Sequence, residues 1–366
     1  MKCYVCENYL TKENETEEHI LLNAIGGKLK SRALLCKDCN SKFGSKIDDK
    51  LAQQLNPIVN LLNVKRDRGK PQNIKGKYGN RDIIIEPNGN MKLARTYIDK
   101  GEKLAHIEAS SLREATKALE GLKRAYPHLN IEEAIKNAKR SKDYLPYVTV
   151  NMNFGGKEIK QSICKMAVNF YIFQGGDPKI IKHLLPFIEG KKEDEEVYYF
   201  YPRSEVFYKG DKDIMHTLLL VGDPLKKQLY VYIELFNEFK MVVYLNREYD
   251  GEPINKSYHF NVVTNEIVQY DTTINIPPKH LRKYCSKELV ETKFKERMMI
   301  LLKKIDELTT SRRINEISTK AIEELQKKYP KEKNPVFTEE MSRFLSNRVS
   351  EEFVSSFQHS LFKREK

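Results

Sequence analysis

The chain has 366 residues, of which 40% are hydrophobic and 31% charged, and no run reaches the roughly 18 to 20 apolar residues of a membrane-spanning helix. This composition predicts a soluble globular protein of two or three domains and disfavours a membrane protein. The net charge is +13: residues 1–80 carry 15 basic and 9 acidic side chains, residues 81–278 carry 28 of each, and residues 279–366 carry 21 and 14. Basic ends favour contact with a polyanion, although a lysine-rich surface without a binding role explains the same counts.

Four of the six cysteines form two pairs, Cys3 with Cys6 and Cys36 with Cys39, and each pair encloses two residues. The chain starts MKCYVCENYL and has no apolar stretch of signal-peptide length there, so we expect a cytoplasmic protein with reduced thiols. Two such pairs are typical of four thiolates around one structural zinc ion, because each short spacer lets both sulfurs point at the same ion.

The segment between the two pairs carries further motifs. Twenty-nine residues separate Cys6 from Cys36, more than the roughly 15 to 20 of a simple zinc staple. The motifs are, in order, Glu18-His19-Ile20, Gly26-Gly27, Cys36-Lys37-Asp38-Cys39-Asn40, Phe43-Gly44 and Ile47-Asp48. In this order, over about residues 1–60, they resemble the zinc-containing members of the HNH endonuclease family. The resemblance implies an N-terminal ββα-metal domain.

The resemblance also implies roles for three side chains. His19 would be the general base that activates water, and Glu18 and Asn40 would be ligands of a catalytic divalent cation. Hydrolysis of a phosphodiester needs both a base and a cation near the scissile phosphate. His19 is the only histidine in the first hundred residues, and the ordinary pKa of a histidine suits a base at neutral pH. Oxygen ligands favour Mg²⁺ or Mn²⁺ for this ion, whereas thiolates favour zinc.

Two positions depart from the family pattern. Glu18 stands where the family more often has aspartate, and Ser31 stands in place of its middle asparagine. Asn23 or a backbone carbonyl group is the candidate to support the His19 segment instead. Side chains of neighbouring residues in an extended segment point to opposite faces, so Glu18 and His19 can share a site only if the backbone bends there.

A helix is predicted after Asn40, because Phe43, Ile47 and Leu51 recur at four-residue spacing. Asp48 lies about 12 Å further along the helix axis than Asn40, so we do not expect it to bind the same ion. Basic side chains near the motifs are candidates for phosphate contacts, with a purely solvated role as the equal alternative. These candidates are Lys28, Lys30, Arg32, Lys42 and Lys46.

The predicted fold class is α+β, with an HNH domain at 1–70, a central α+β domain at 78–278 and a basic helical segment at 279–366. The basic, turn-rich residues 64–71 are predicted to be a linker. Strands are predicted at 82–86, 91–98, 103–109, 147–154, 197–201, 216–221, 228–236, 239–246, 258–263 and 266–270, the last six as an antiparallel meander. Helices are predicted at 111–126, 159–173, 287–308, 312–328 and 338–364. His106, His216 and His259 are predicted to be structural, since none has partners at metal-binding spacing.

The leading functional hypothesis is a DNA-cleaving, metal-dependent HNH endonuclease, of the kind found among bacterial antiphage and mobile-element nucleases. A zinc-containing nucleic-acid-binding module without catalysis is the first alternative. A nuclease gated by a ligand of the central domain is the second. The sequence leaves open RNA as substrate, a homo-oligomer, and a small-molecule or protein regulator. It also leaves open whether the central domain serves regulation, target recognition or oligomerisation.

Overall fold

The computed structural model describes residues 1–87, 89–101, 104–139, 145, 147–193, 196–201, 205–270, 272, 274, 287–330 and 336–361. The chain divides into two compact units, each made of two stretches. The first unit comprises Met1–Gln72 and Met152–Glu307, and the second comprises Asn73–Asn151 and Leu308–Lys366. The predicted domains follow chain order, whereas both units are discontinuous, so residues 78–278 and 279–366 are each divided between the two.

After the N-terminal segment, runs of consecutive strands are followed by runs of consecutive helices, in agreement with the predicted α+β class. The strands are β1 (Glu18–His19), β2 (Lys30–Ser31), β3 (Ile74–Tyr78), β4 (Arg81–Ile85), β5 (Met91–Leu93), β6 (Tyr97–Lys100), β7 (Ala105–Glu108), β8 (Val197–Tyr199), β9 (Met215–Asp223), β10 (Gln228–Leu235), β11 (Phe239–Asn246), β12 (Ile254–Asn261) and β13 (Glu266–Val268). The α-helices are α1 (Lys37–Phe43), α2 (Asp49–Leu62), α3 (Leu112–Leu122), α4 (Ile131–Lys136), α5 (Lys157–Phe173), α6 (Leu185–Ile188), α7 (Lys287–Lys328) and α8 (Glu339–Leu361).

The first unit begins with the predicted hairpin and helix. β1 pairs antiparallel with β2, and His19 lies opposite Lys30. The connection needs two glycines: Gly26 has a φ of +94°, and a Cβ on Gly27 would lie 2.1 Å from the carbonyl oxygen of Leu21. A single π-helical turn, Gly44–Asp48, joins α1 to α2. Phe43, Ile47 and Leu51 are all buried, as their spacing predicts.

The rest of the first unit is a six-stranded sheet with a buried helix. The sheet has the order β13-β12-β9-β10-β11-β8 and every neighbouring pair is antiparallel, so the predicted antiparallel pairing is confirmed. The prediction that all six strands form one meander is wrong, because β12 pairs with β9 instead of β11, and β8 pairs with β11 instead of β9. Helix α5 contacts β9, β10 and β11 and also the π-helical turn and α2. Most of its residues from Ile159 to Tyr171 are buried. Because α5 lies between the sheet and the N-terminal helices, its side chains reach the hairpin region.

The second unit holds a three-stranded sheet, β3-β4-β5, and the hairpin β6-β7. The predicted start of α3 is confirmed, since the Ser111 hydroxyl accepts a hydrogen bond from the backbone N–H of Glu114. The strand predicted at 147–154 is reduced to one bridge between Thr149 and Lys77.

The C-terminal helices differ from their prediction at one point. Helix α7 runs through residues 309–311, where a break was predicted between two helices. Helix α8 begins one residue after the predicted start, and the predicted end at residue 364 lies outside the described residues. Among the described helices, none combines the length and the apolar character needed to cross a membrane.

Candidate active site

The four paired cysteines converge. All four Sγ atoms lie within 4.8 Å of one another, and those of Cys6 and Cys36 are 3.7 Å apart. A tetrahedral zinc site with Zn–S bonds of about 2.3 Å places its sulfurs about 3.8 Å apart, so the cluster fits one zinc ion. Cys36 caps the N-terminus of α1 and Cys39 lies in its first turn. The cluster therefore fixes the beginning of α1, where Asn40 follows Cys39 directly.

A cavity of about 300 Å³ lies beside this helix. The three residues with predicted catalytic roles, His19, Glu18 and Asn40, all line it, and so does Asp48. The amide nitrogen of Asn40 donates to the Thr16 hydroxyl at 3.3 Å. That contact leaves the amide oxygen as the atom of Asn40 that suits a hard cation. The structure thus brings together the side chains that the motifs singled out.

His19 lies next to a carboxylate that the sequence analysis assigned to a linker. Its Nε2 is 3.5 Å from Oδ2 of Asp67, and the other oxygen of Asp67 accepts a hydrogen bond from Lys28 at 2.7 Å. Burial lowers the pKa of His19, and the hydrogen bond with Asp67 opposes that shift. The imidazole is therefore kept neutral at pH 7, with one ring nitrogen directed at an acceptor.

Asn23, named above as a candidate to support this segment, acts through the backbone around Asp67. Its Oδ1 accepts from the N–H of Asp67 at 2.8 Å, and its Nδ2 donates to the carbonyl oxygen of Arg68 at 3.3 Å. Ser31, at the position of the family's middle asparagine, uses its hydroxyl locally, where it accepts from the N–H of Ala33. Asn23 thus holds the segment that carries the carboxylate beside His19.

Glu18 points into the protein rather than into bulk solvent, with 3% of its surface exposed. Its Oε1 forms an ion pair with Nζ of Lys165 at 2.5 Å and accepts a hydrogen bond from Nδ2 of Asn169 at 2.9 Å. No described residue forms a hydrogen bond or ion pair with its other oxygen, Oε2. One oxygen of Glu18 is therefore tied to α5, and the other remains available on a side chain that lines the cavity.

Asp48 shares the same ammonium group. Its Oδ2 lies 2.5 Å from Nζ of Lys165, and its Oδ1 accepts from the Ser162 hydroxyl at 2.7 Å. Both oxygens of Asp48 are therefore engaged within the protein. Lys165 is 1% exposed; burial acts to lower its pKa, but the carboxylates of Asp48 and Glu18 more than offset this and raise it. The side chain is thus a buried ammonium between two carboxylates.

The α5 contacts were not seen in the sequence, which predicted only a helix at 159–173 there. Ser162, Lys165 and Asn169 are spaced by three and four residues, so they lie on one face of α5. The Tyr4 hydroxyl extends the network by donating to Oδ1 of Asn169 at 2.8 Å. Polar residues at helical spacing inside an apolar helix were the signal that could have revealed it.

Four of the five basic side chains proposed for phosphate contacts have carboxylate neighbours. Lys28 pairs with Asp67, as described above. The other pairs are Lys30 with Glu17 at 2.8 Å, Arg32 with Glu15 at 3.1 Å, and Lys42 with Glu189 at 3.4 Å. Such partly exposed ion pairs are worth only about 1 kcal/mol or less, so these cations stay available to a polyanion. Lys46 lies on the exposed side of the π-helical turn.

Two of the three histidines predicted to be structural are buried within the sheet. His216 Nε2 lies 3.0 Å from the carbonyl oxygen of Ile25, in the turn between β1 and β2. Burial lowers the pKa of His216 to about 4, so it is neutral. His259 lies between the hydroxyls of Thr217 and Thr272, at 3.1 and 3.0 Å. His106 is exposed on β7.

Comparison with protein families agrees with the N-terminal geometry. Residues 3–56 match the family model of the HNH endonucleases. The match includes the four cysteines and the cavity residues Glu18, His19, Asn40 and Asp48, and it ends within α2. Searches among curated proteins and among solved structures gave no match. The chain therefore carries an N-terminal HNH domain, which its family describes as an endonuclease domain.

Proposed function

We propose that the protein is a metal-dependent endonuclease that hydrolyses phosphodiester bonds of DNA. One observation carries the proposal: His19, Glu18 and Asn40 line a single cavity beside a four-cysteine cluster, within a segment that matches the HNH family. A base, a carboxylate oxygen and an amide oxygen around one cavity are what metal-assisted hydrolysis requires.

The cysteines and the acidic side of the cavity have separate tasks in this proposal. Zinc bound by the thiolates is structural, since four sulfur ligands leave no open coordination position. Oε2 of Glu18 and Oδ1 of Asn40 would hold Mg²⁺ or Mn²⁺, both of which prefer oxygen ligands. When bound, this ion supplies positive charge that stabilises the scissile phosphate and the leaving oxygen.

His19 takes the proton from the attacking water. Burial favours its neutral form, which is the form that can accept a proton. Asp67 accepts the N–H of Nε2 in this tautomer, so Nδ1 is the nitrogen that acts as the base, and the imidazolium formed is stabilised by the carboxylate. Lys28, Lys30 and Arg32, together with Lys42 and Lys46, contact phosphates on either side of the cut.

The proposal is tested by nicking of supercoiled plasmid with Mg²⁺ or Mn²⁺. We expect His19→Ala and Asn40→Ala to lower the cleavage rate at least a hundredfold, since loss of a general base removes a factor of roughly 10² to 10⁴. His106→Ala is the matched control and should cut like the wild type, because His106 is exposed on β7. Equal cleavage by wild type and His19→Ala would refute the assignment, and faster cleavage of RNA would change the substrate class.

One observation favours the second candidate, a nucleic-acid-binding module without catalysis. Oε1 of Glu18 is already paired with Lys165, which leaves this carboxylate less able to hold a cation than an exposed aspartate. This candidate predicts DNA binding that weakens steeply with salt but no cleavage under any divalent ion. The same plasmid assay, combined with a binding titration at two salt concentrations, separates the two candidates.

The wider biological role is also a proposal. A cytoplasmic location would keep the thiols reduced for zinc, and an antiphage or mobile-element nuclease suits a chain that joins an HNH domain to an additional α+β fold. Phage plating on cells that express wild type or His19→Ala tests this role, and equal plaque numbers would contradict it. We also propose that residues 78–278 bind a regulator or form a homo-oligomer. Dependence of cleavage on added ligand or on protein concentration would reveal it.

A further inference from the structure

Lys165 occupies an unusual position for a lysine. It is 1% exposed, and its ammonium nitrogen lies 2.5 Å from one oxygen of Glu18 and 2.5 Å from one oxygen of Asp48. Buried ammonium groups are rarely found without such partners, because desolvation of the charge is costly. The family match ends at residue 56, so this cation comes from outside the HNH segment.

The bonds of the two carboxylates are not equivalent. Asp48 uses both oxygens inside the protein, one with Ser162 and one with Lys165. Glu18 uses only Oε1, which is shared by Lys165 and Asn169, and no described residue bonds to Oε2. The network therefore holds Glu18 in one orientation and leaves a single oxygen for a cation in the cavity.

We infer that Lys165 is a positioning residue of the nuclease centre, and that its ammonium directs the divalent cation to Oε2 of Glu18 while excluding it from the space between Glu18 and Asp48. The inference rests on the proposed function. Lys165 is not a catalytic residue, because it contacts neither the cavity ligand Asn40 nor the base His19 among its described bonds. It acts through the carboxylate that it holds.

The charge of Lys165 and the space that it occupies both affect where a cation can bind. Two carboxylate oxygens that both bind one ammonium nitrogen lie close enough to share a metal ion, which binds such oxygens at about 2.0–2.6 Å. The carboxylates of Glu18 and Asp48 and the ammonium of Lys165 together carry a net charge of about −1. Loss of the ammonium would leave about −2 and an open position between the oxygens, whereas loss of the Asp48 charge would leave about zero.

Two substitutions in the same ion pair therefore have opposite expected effects on metal binding. Lys165→Met is unbranched and only one heavy atom shorter than lysine, and it removes the charge, so the full-length, zinc-loaded variant should bind Mn²⁺ at least tenfold more tightly than the wild type. Asp48→Asn should bind Mn²⁺ at least tenfold more weakly. The measurement is a titration with Mn²⁺ followed by the electron paramagnetic resonance signal of the free ion.

Cleavage gives a second readout. Lys165→Met should cut plasmid at least tenfold more slowly at saturating Mn²⁺ although it binds the ion more tightly, because the ion then lies between Glu18 and Asp48. A merely structural role would move both variants in the same direction. Lys182→Met is the matched control: it removes a lysine that pairs with the exposed carboxylate of Glu7, and it should leave Mn²⁺ affinity unchanged.

Each outcome decides the inference. Unchanged or weaker Mn²⁺ binding by Lys165→Met, or unchanged or tighter binding by Asp48→Asn, would overturn it. Loss of zinc or an unfolded circular dichroism spectrum would show that Lys165→Met does not fold. In that case the direction of the change in Mn²⁺ affinity of Asp48→Asn decides alone. A wild type that binds Mn²⁺ but cleaves neither DNA nor RNA would refute the proposed function, while the paired affinity shifts would still test the position of the cation.

Discussion

Two sides of the candidate site are built by different means. On the cysteine side, comprising the four cysteines, α1 and Asn40, the positioned amide follows its nearest sulfur ligand by one residue. On the α5 side, comprising α5, Glu18 and Asp48, the contacts join Lys165 to Asp48 across 117 residues and Asn169 to Glu18 across 151 residues. The first side is fixed by local spacing and a metal, whereas the second depends on a helix packed against a sheet. A ββα segment of this protein is thus completed by the chain that follows it.

The largest expected effect comes from breaking the cysteine side. Cys36→Ser removes one of four zinc ligands, and structural zinc supplies roughly 10–16 kcal/mol of folding energy in small zinc peptides. We expect loss of zinc, disorder of the N-terminal hairpin and no detectable cleavage. Elemental analysis, predicted to give one zinc per wild-type chain, and circular dichroism measure this. Cys164→Ala, a buried cysteine on α5 outside the cluster, should retain zinc; zinc retained by Cys36→Ser would contradict the assignment.

The α5 side is broken by Asn169→Ala. Asn169 is fully buried and bridges the Tyr4 hydroxyl to Glu18, so its removal takes this partner from the buried Tyr4 hydroxyl and leaves Oε1 of Glu18 with Lys165 alone. An unsatisfied buried polar group costs about 1–3 kcal/mol, and we expect the free energy of unfolding to fall by about 2–3 kcal/mol in urea titrations. Tyr4→Phe removes one of the two bonds and should cost less. If Tyr4→Phe cost as much as Asn169→Ala, the bond to Glu18 would contribute nothing.

A pH titration tests the contact between the sheet and the turn that joins β1 to β2. Burial lowers the pKa of His216 to about 4, against about 6.5 in the unfolded chain. Below pH 6.5 the imidazole of residue 216 is protonated in the unfolded state but stays neutral in the folded state. The free energy of unfolding is therefore highest above pH 6.5 and falls towards pH 4. At pH 5 the loss is about 2 kcal/mol. His216→Gln should remove this part of the decline, measured as the change in unfolding free energy between pH 7 and pH 5; an equal decline in both proteins would contradict it.

The smallest expected effect concerns Asp67, which lies outside both sides. Its contact with His19 is 3.5 Å long and partly exposed, so we expect Asp67→Asn to lower the plasmid cleavage rate by roughly tenfold, through poorer orientation of the imidazole. Asp223→Asn changes a partly exposed carboxylate at the end of β9 and serves as control. Asp67→Asn with unchanged cleavage would show that His19 needs no support from this segment.

The contrast between the cysteine side and the α5 side also explains which features could be predicted from the sequence. The cysteine cluster and the helix after Asn40 were predictable because ligand spacing and the periodicity of Phe43, Ile47 and Leu51 are local signals. The sheet strands were predictable for the same reason, since alternation and turn residues lie within each segment. The HNH match confirms the family resemblance of the N-terminal segment.

Long-range partners could not be predicted from spacing. Lys165 and Asp67 contact Glu18 and His19 from segments that looked like an apolar helix and a linker, and no sequence rule pairs residues so far apart. Asn23 is an intermediate case: it was named as a support for His19, yet its action through the backbone of Asp67 required the fold. The continuous helix α7 exceeded its prediction because no proline or glycine interrupts residues 309–311.

The π-helical turn at Gly44–Asp48 changes the direction in which the side chains that follow it point around the helix axis. Such a turn closes its hydrogen bonds over five residues instead of four, so the chain advances around the axis more slowly than in an α-helix. The eight residues from Asn40 to Asp48 therefore complete close to two whole turns, and both side chains come to line one cavity. A regular α-helix of equal length would rotate Asp48 away from that line. One additional residue in a turn thus determines whether the amide held by the cysteines and the carboxylate held by Lys165 face the same space.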